Sequence, residues 1–282
     1  LGSTGCRFYD PRLSGSITKR SHQILKQTKG WLEQKGIETI YGDTDSIFVL
    51  ANEEASKDEC IQLGNRLMND INEYWRRYIA DNFQLESQLD IEFETHFSKF
   101  FMPTIRGQDV GTKKRYAGLI IEGDKESLVF KGLEAVRTDW TPLAKEFQLE
   151  LYERIFHGKP VESFVRQYVV DTRLGLNDSK LVYRKRLRRK LDNYIKNVPP
   201  HVKAARFADE KNKQAGKPLK YQNKGWIEYV MTVNGPEATE YLTSKIDYDL
   251  YIERQIQAVA EAILPFIGVS FNEIVNDQMS LF

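Results

Sequence analysis

Apolar residues recur at three- and four-residue intervals over much of this chain, which is the spacing of one face of an amphipathic helix. Ile17, Ile24 and Leu32 mark the first such segment, and Gly36 ends it. We expect most of the carboxyl-terminal half to be helical, including its densely basic segment at 180–196. The first segment is predicted to be a helix at 14–35, and further helices are predicted at 57–80, 143–156, 161–170, 201–214 and 248–264.

Other segments alternate apolar and polar residues or form short apolar runs, which predicts strands. Residues 89–94 (LDIEFE) show the clearest alternation, and we expect a half-buried strand there. In a further predicted strand at 224–233, Trp226, Tyr229 and Val233 are expected to pack in the core. The remaining predicted strands cover 37–40, 47–50, 100–105, 113–122 and 128–133.

These elements predict an α+β fold with two domains and a tail. Residues 1–130 are expected to form an antiparallel sheet with helices on one face. The composition changes from strand-like to helix-like near Lys131, so residues 131–270 are expected to form a second, mostly helical domain, followed by a tail at 271–282. A length of 282 residues is sufficient for two domains, each with its own core.

The composition is typical of a cytoplasmic globular protein. No apolar run approaches the roughly 20 residues that span a bilayer, so no membrane association is expected. Cys6 and Cys60 are too few and too far apart for a disulfide framework, which favours a reducing compartment. The net charge of +1 conceals a segregation, since acidic stretches lie in the first half and the basic one at 180–196. The first residue is leucine, so we expect the chain to be a piece of a longer protein.

The hexapeptide at 41–46 (YGDTDS) lies between two predicted strands and is expected to form the tip of a hairpin. Asp43 and Asp45 are two residues apart, so on an extended segment their carboxylates project to the same side. Two carboxylates held close together need a counter-charge, and a hard divalent cation such as Mg²⁺ supplies it. The alternative is a plain turn, because glycine and aspartate both favour turns.

The hexapeptide and its flanking strands resemble motif C of the family B DNA polymerases, and further matches follow in that family's order. The resemblance implies a palm at 1–130, a thumb at 131–270, and the transfer of deoxynucleotides from their triphosphates to the 3′ end of a primer paired with template DNA. It also implies a catalytic site with two Mg²⁺ ions, in which Asp45 is the principal ligand and Asp43 is a second or positioning ligand.

A cluster of cations with one aromatic residue stands at the start of the strand predicted at 113–122. Lysines at such a position can simply protect an edge strand from aggregation. The cluster resembles the Lys-x-Tyr motif of the same family, which implies contact with the primer end of the DNA duplex. Its candidate DNA-binding residues are Lys113, Lys114, Arg115 and Tyr116.

The segment from Lys131 to Trp140 resembles the junction between palm and thumb in the family. Lys131 and Arg137 are therefore candidate DNA contacts. The alternative is that Glu134, Arg137 and Asp139 form structural ion pairs. The sequence does not favour either interpretation.

The basic segment at 180–196 is the strongest electrostatic signal in the chain. Charge runs are often no more than a solvated face. However, closely spaced cations repel one another, and the binding of a polyanion relieves that repulsion. The interleaved Tyr183 and Tyr194, and the position after the palm, favour a thumb surface that follows the DNA backbone. Its candidate DNA-binding residues are Lys180, Arg184, Lys185, Arg186, Arg188 and Arg189.

The last five residues, QMSLF, resemble the motif by which bacterial proteins bind the sliding clamp, although termini often carry no function. The resemblance implies a clamp partner, with methionine at a position where leucine is commoner. The candidate clamp contacts are Gln278, Met279, Leu281 and Phe282.

Two patterns of the family do not occur in the sequence. These are motif A, which supplies another metal-binding aspartate, and the fingers helix, which supplies a nucleotide-binding lysine. We therefore expect the intact protein to be a DNA polymerase and the isolated chain not to polymerise. The alternatives are a non-catalytic module that binds duplex DNA and the clamp, and a two-metal nuclease.

Overall fold

The computed structural model describes residues 4–43, 45–103, 114–222 and 225–276. Its residues form two compact units. The first unit comprises Leu1–Ser98 together with Ile120–Ser127, and the second comprises Lys99–Leu119 together with Leu128–Phe282. These units are defined by spatial proximity, so the division into a palm at 1–130 and a thumb at 131–270 stays a prediction.

The first unit consists of two long helices and a hairpin. Helix α1 (Pro11–Gln34) begins earlier than predicted, because the Asp10 side chain caps it by accepting a hydrogen bond from the Arg12 backbone N–H at 2.9 Å, and Pro11 suits the first turn. Strands β1 (Thr39–Asp43) and β2 (Ser46–Val49) follow. Helix α2 (Lys57–Phe83) then begins with a reciprocal capping box between Ser56 and Glu59.

The core of the first unit lies between the two helices. Leu32 of α1 packs with Leu67, Ile71 and Trp75 of α2. The indole N–H of Trp75 donates to the hydroxyl of Thr28 at 2.9 Å, so the one polar atom of this buried ring has a partner. The helical spacing of apolar residues therefore identified a real core.

The predicted strand at 89–94 is wrong, because this segment has no regular secondary structure. It extends along α2 instead. The Asn72 side chain accepts a hydrogen bond from the Ile91 backbone N–H and donates one to the Ile91 carbonyl, both at 2.8 Å. The backbone groups that a neighbouring strand would have bound are thus satisfied by a side-chain amide. Phe93 lies so close to Gly64 that a β-carbon at Gly64 would come within 2.5 Å of the ring.

Three strands form a second sheet in the order β3–β4–β5: β3 (Lys99–Phe101), β4 (Tyr116–Glu122) and β5 (Lys125–Lys131). The β4–β5 hairpin is divided between the two units, since residues 120–127 belong to the first. The hairpin β1–β2 forms a two-stranded sheet of its own. The described strands before residue 131 therefore make two sheets, where one was expected.

The rest of the second unit combines helices with a third sheet. The helices are α3 (Pro142–Phe156), α4 (Glu162–Arg173), α5 (Pro200–Gln214), α6 (Tyr248–Tyr251), α7 (Ala258–Ala260) and α8 (Phe271–Asn276), with a π-helical segment at Ile252–Gln257. Short 3₁₀ turns lie at Glu134–Val136, Asp178–Lys180, Leu191–Asn193, Thr239–Tyr241 and Leu264–Ile267. Strands β6 (Tyr183–Leu187), β7 (Gly225–Thr232) and β8 (Gly235–Ala238) pair in that order, all antiparallel.

Helices and antiparallel sheets occur together, which confirms the α+β class. The helical prediction for 180–196 is wrong, because β6 occupies its centre. Tyr183 and Leu187 alternate with exposed arginines and pack on the core that contains Ile227 and Tyr229. A period of two is the spacing of a strand. Among the residues that the structure describes, no helix is long and apolar enough to cross a bilayer.

Candidate functional site

The β1–β2 hairpin places the two candidate metal ligands at its tip. Its register pairs Asp43 with Ser46 and Gly42 with Ile47, so the strand pairing continues to the end of β1 and the start of β2. Asp45 is an exposed turn residue beyond β1. The two aspartates were expected to lie on one extended segment, but Asp43 ends β1 and Asp45 lies beyond it.

The base of this hairpin is well packed. The rings of Tyr41 and Phe48 lie 5.7 Å apart between centroids, and Phe48 stacks on Phe97 at 6.2 Å. On β2, Ile47 and Val49 pack against the core of the first unit. The strands thus anchor the hairpin by their apolar side chains, whereas Asp45 is exposed to solvent.

The tip offers oxygen ligands of the kind that Mg²⁺ prefers. Asp45 contributes an exposed carboxylate, and the Ser46 hydroxyl lies 3.5 Å from its Oδ1 atom. Within the described ranges, no group of three or more histidine, cysteine, aspartate or glutamate side chains is arranged to hold a metal ion. The described donors therefore fit Mg²⁺ in chemical kind, with Asp45 as a candidate ligand.

The Lys114–Tyr116 segment is fixed by an unusual backbone and a close contact. Lys114 has a φ of +68°, in the left-handed region, and Tyr116 begins β4 with its ring 5.3 Å from that of Phe100. Gly132 has a φ of +63°, and a β-carbon on it would lie only 2.2 Å from the Lys114 carbonyl oxygen. A glycine is thus required at 132 both by its conformation and by the approach of the Lys114 backbone.

Arg115 turns inward and belongs to a polar network. Its guanidinium forms an ion pair with the buried Glu134. The other Glu134 oxygen accepts a hydrogen bond from Gln148 Nε2 at 2.8 Å, and Gln148 Oε1 accepts one from the Ala135 backbone N–H at 2.6 Å. The network was not foreseen, because its members are far apart in sequence. It connects the candidate DNA-binding segment to helix α3.

Two atoms near this network are buried and have no hydrogen-bond partner in the described structure: Arg115 Nε and the Tyr152 hydroxyl. Burial raises the pKa of Tyr152, and the negative charge of Glu134 raises it further. The Tyr152 hydroxyl therefore stays protonated at physiological pH. Glu134 pairs with the charge of Arg115, so this pair bears on the stability of the second unit.

The two other candidates in the junction differ in their contacts. Lys131 is exposed at the end of β5. Arg137 forms a two-pronged pair with Asp139, with Nε–Oδ1 at 2.9 Å and Nη2–Oδ2 at 2.7 Å. These hydrogen bonds from Arg137 hold the pKa of Asp139 below its usual range. Of the alternatives left open by the sequence, the structure therefore shows ion pairs, and DNA contact by Arg137 stays a prediction.

The basic segment presents most of its cations to solvent. Arg184 and Arg186 of β6 are exposed, whereas Lys185 between them is half-buried. Arg188 and Arg189 are exposed beyond the strand, where both backbone N–H groups donate to the Tyr194 hydroxyl at 3.2 Å. The alternation separates a cationic outer face from an apolar inner face.

Lys180 differs from the other members of this segment, because its ammonium pairs with Glu146 Oε2 at 2.5 Å. Trp226, expected in the core, is instead 54% exposed. It lies opposite Arg186, and the Arg184 guanidinium lies 4.9 Å from the centre of its ring. No signal in the sequence could have revealed this pairing, since it depends on the register of β6 on β7. Lys113 and the four tail residues Gln278, Met279, Leu281 and Phe282 lie outside the described residues.

Comparison with known proteins identifies the family. The model of DNA polymerase family B matches residues 1–267, so the chain belongs to that family. It is 54% identical to DNA polymerase II of Escherichia coli over 282 residues, which are 100% of this chain and 36% of that protein. DNA polymerase 2 of Aeropyrum pernix is 29% identical over 96% of this chain and 30% of its own length. The mouse DNA polymerase alpha catalytic subunit is 26% identical over 95% of this chain and 18% of its own length. The chain thus spans between 18% and 36% of the length of these relatives.

Proposed function

We propose that the chain is the palm and thumb portion of a DNA-directed DNA polymerase, which adds deoxynucleotides to a primer 3′ end. The observation that carries the proposal is the β1–β2 hairpin, which has a packed aromatic base, Asp43 at the end of β1 and the exposed Asp45 in the turn that follows. Membership of DNA polymerase family B supports it.

Each element of the chain has a distinct role in this proposal. Asp45 would hold Mg²⁺, with Asp43 as a second ligand, and the metal would neutralise the triphosphate and stabilise the attacking and leaving oxygens. Lys114 and Tyr116 bind the primer end, with Lys114 in a left-handed backbone conformation just before β4. The exposed Arg184 and Arg186 bind DNA phosphates, which positions the duplex without reading its sequence.

The proposal is tested in a chimera, because the chain aligns over its whole length with Escherichia coli DNA polymerase II. The matching segment of that enzyme is replaced by this chain, and primer extension is measured with and without Asp45→Asn. We expect extension by the chimera to fall about 1000-fold, since a metal ligand contributes several kcal/mol. Asp124→Asn, at the exposed turn between β4 and β5, is the matched control and should extend primers normally.

Two results would contradict the proposal. One is full extension by the Asp45→Asn chimera. The other is an unsubstituted chimera that folds and binds primer-template DNA but does not extend it. The isolated chain is expected to bind such DNA without extending the primer.

The proposal extends to partners and location. Primer-template DNA and deoxynucleoside triphosphates are the proposed substrates, and the sequence of the tail supports docking to a bacterial sliding clamp. The proposed location is the bacterial cytoplasm, at the nucleoid where this DNA lies. A non-catalytic module that binds duplex DNA and the clamp is the alternative. It is favoured only by the exposed arginines, which the polymerase proposal also explains.

A further inference from the structure

One face of the β6–β7 ribbon combines an exposed indole with exposed guanidinium groups. The register pairs Arg186 with Trp226 and Arg184 with Glu228. Residues that pair across antiparallel strands project from the same face, so these four side chains share one surface. The opposite face carries Ile227 and belongs to the core of the second unit.

All four members of this face are accessible to solvent. Trp226 is 54% exposed, and Arg186 is exposed as well. The Arg184 and Glu228 side chains retain 66% and 56% of their accessible surface. Trp226 is therefore not part of the hydrophobic core. Its neighbour on the strand, Ile227, is 1% exposed and supplies the core contact at this point of β7.

The simplest structural role for Trp226 is a self-contained pair with Arg184. The guanidinium does lie 4.9 Å from the ring centre, within the range of a cation–π contact. A single cation can cover only one side of the ring, and about half of the residue remains in water. A pairing role alone thus leaves a large aromatic surface exposed beside the densest group of cations in the chain.

The charge of this surface is strongly one-sided. Between residues 184 and 190 the sequence RKRLRRK contains six cations and no acid. Glu228 is the acid that shares the face, and its carboxylate is 3.8 Å from Arg184 Nε, which is a long ion pair. An anionic ligand would therefore be attracted to this surface, and its flat indole would contact any planar, apolar part of that ligand.

We propose that Trp226, Arg184 and Arg186 form a binding surface for unpaired nucleotides, with a base stacked on the indole and phosphates held by the arginines. Proteins that bind single strands combine a cationic track with aromatic side chains in this way. A continuous duplex would use the arginines but not the indole, because its bases already stack on one another. The inference rests on the proposed function, in which Arg184 and Arg186 hold DNA phosphates, and it adds that a base of an unpaired strand held there can also reach the indole.

The test compares two strands that differ only in their bases. Binding of this chain is measured by fluorescence anisotropy with a labelled oligothymidylate of about 16 nucleotides and with an abasic strand of equal length. Trp226→Ala should weaken oligothymidylate binding about 10-fold, the effect of losing roughly one stacked base. It should leave abasic binding and both salt slopes unchanged. Arg184→Gln should lower the salt slope for both strands by about 0.7.

Val233→Ala is the control, because Val233, which was expected in the core, is instead a 62% exposed apolar residue near the end of β7. It should not change binding to either strand. Thermal unfolding of each variant verifies that the fold is retained, and Trp226→Phe, which keeps an aromatic face, should restore most of the affinity.

The outcomes separate this inference from the proposed function. If Trp226→Ala weakens binding to oligothymidylate and to the abasic strand equally, or weakens neither, the proposed stacking on Trp226 is wrong. Binding to primer-template duplex without any binding to the single strand would also overturn it and would leave the proposed function intact. No binding to any DNA at low salt would contradict both. Tighter binding to polyglutamate than to oligothymidylate would assign the face to an acidic protein instead.

Discussion

Replacing Glu134 by glutamine removes one charge from the polar network that supports the Lys114–Tyr116 segment. Glutamine has nearly the same shape, so the hydrogen bond from Gln148 can be retained. The guanidinium of Arg115 then loses its acidic partner, while its Nε atom is already buried without a hydrogen bond in the described structure. The substitution thus leaves a cation that is partly removed from water and has no balancing charge.

The magnitude follows from how far the pair is buried. Breaking a fully buried ion pair costs about 3–5 kcal/mol, whereas exposed pairs contribute about 0–1 kcal/mol. The Glu134 side chain is 8% exposed and the Arg115 side chain 32% exposed, which places the pair between these limits. We expect Glu134→Gln to lower the free energy of unfolding of the second unit by about 2 kcal/mol.

Hydrogen exchange with mass spectrometry is the appropriate assay, because peptides of α3 report the opening of the second unit separately from the first. Glu210→Gln, on an exposed position of α5, is the matched control and should change stability by less than about 0.5 kcal/mol. The double variant with Arg115→Met should recover part of the loss, since both charges are then absent. A loss as small as that of the control, or strict additivity in the double variant, would refute this account of the network.

Two further substitutions test other contacts of the second unit. In urea unfolding, Gly132→Ala should destabilise the second unit by about 2 kcal/mol more than Gly158→Ala. Both glycines have a φ of +63°, but a β-carbon at Gly132 would clash with the Lys114 carbonyl oxygen, whereas one at Gly158 would meet no atom within 4 Å. Equal losses would show that the backbone shifts to remove this clash without cost. Burial raises the pKa of the Glu237 carboxyl group. Hydrogen bonds from Ser244 and Thr243 outweigh the effect of burial and hold this pKa below the ordinary value of 4.5. The resulting stabilisation is present above the pKa that Glu237 has in the unfolded chain and is lost as the pH falls through its pKa in the folded protein. Glu237→Gln should therefore flatten the decline in the free energy of unfolding below pH about 4.5. An unchanged decline would argue against a role for the Glu237 charge.

The local pattern of the sequence predicted most of the helices and the position of the hairpin. Apolar spacing located α1 and α2 to within a few residues at each end, because a helix is made by contacts between near neighbours. The same rule failed at 89–94, where alternation is real but the backbone bonds to Asn72. It also failed at 180–196, where the number of cations concealed a period of two.

Some features of the candidate site were likewise predictable from the sequence, and others were not. The hexapeptide that carries Asp43 and Asp45 was recognised from sequence, because turn geometry and its flanking strands are local properties. The roles of single cations were not recognised. Arg115 belongs to an ion pair with Glu134, although it follows the exposed Lys114. Lys180 belongs to one with Glu146, although it lies only four residues before the exposed Arg184.

The sequence by itself determined the family, the α+β class, and which segments carry the acidic tip and the basic stretch. Only the tertiary structure decided which of those charges are paired and which face solvent. The reason is that a charge is paired by residues distant along the chain, such as Glu134 for Arg115, and strand register alone brings Trp226 opposite Arg186. The spacing of apolar residues indicates which face of a helix or strand is buried. The partners of the residues on the opposite face depend on strand register and on contacts with residues that are distant in sequence.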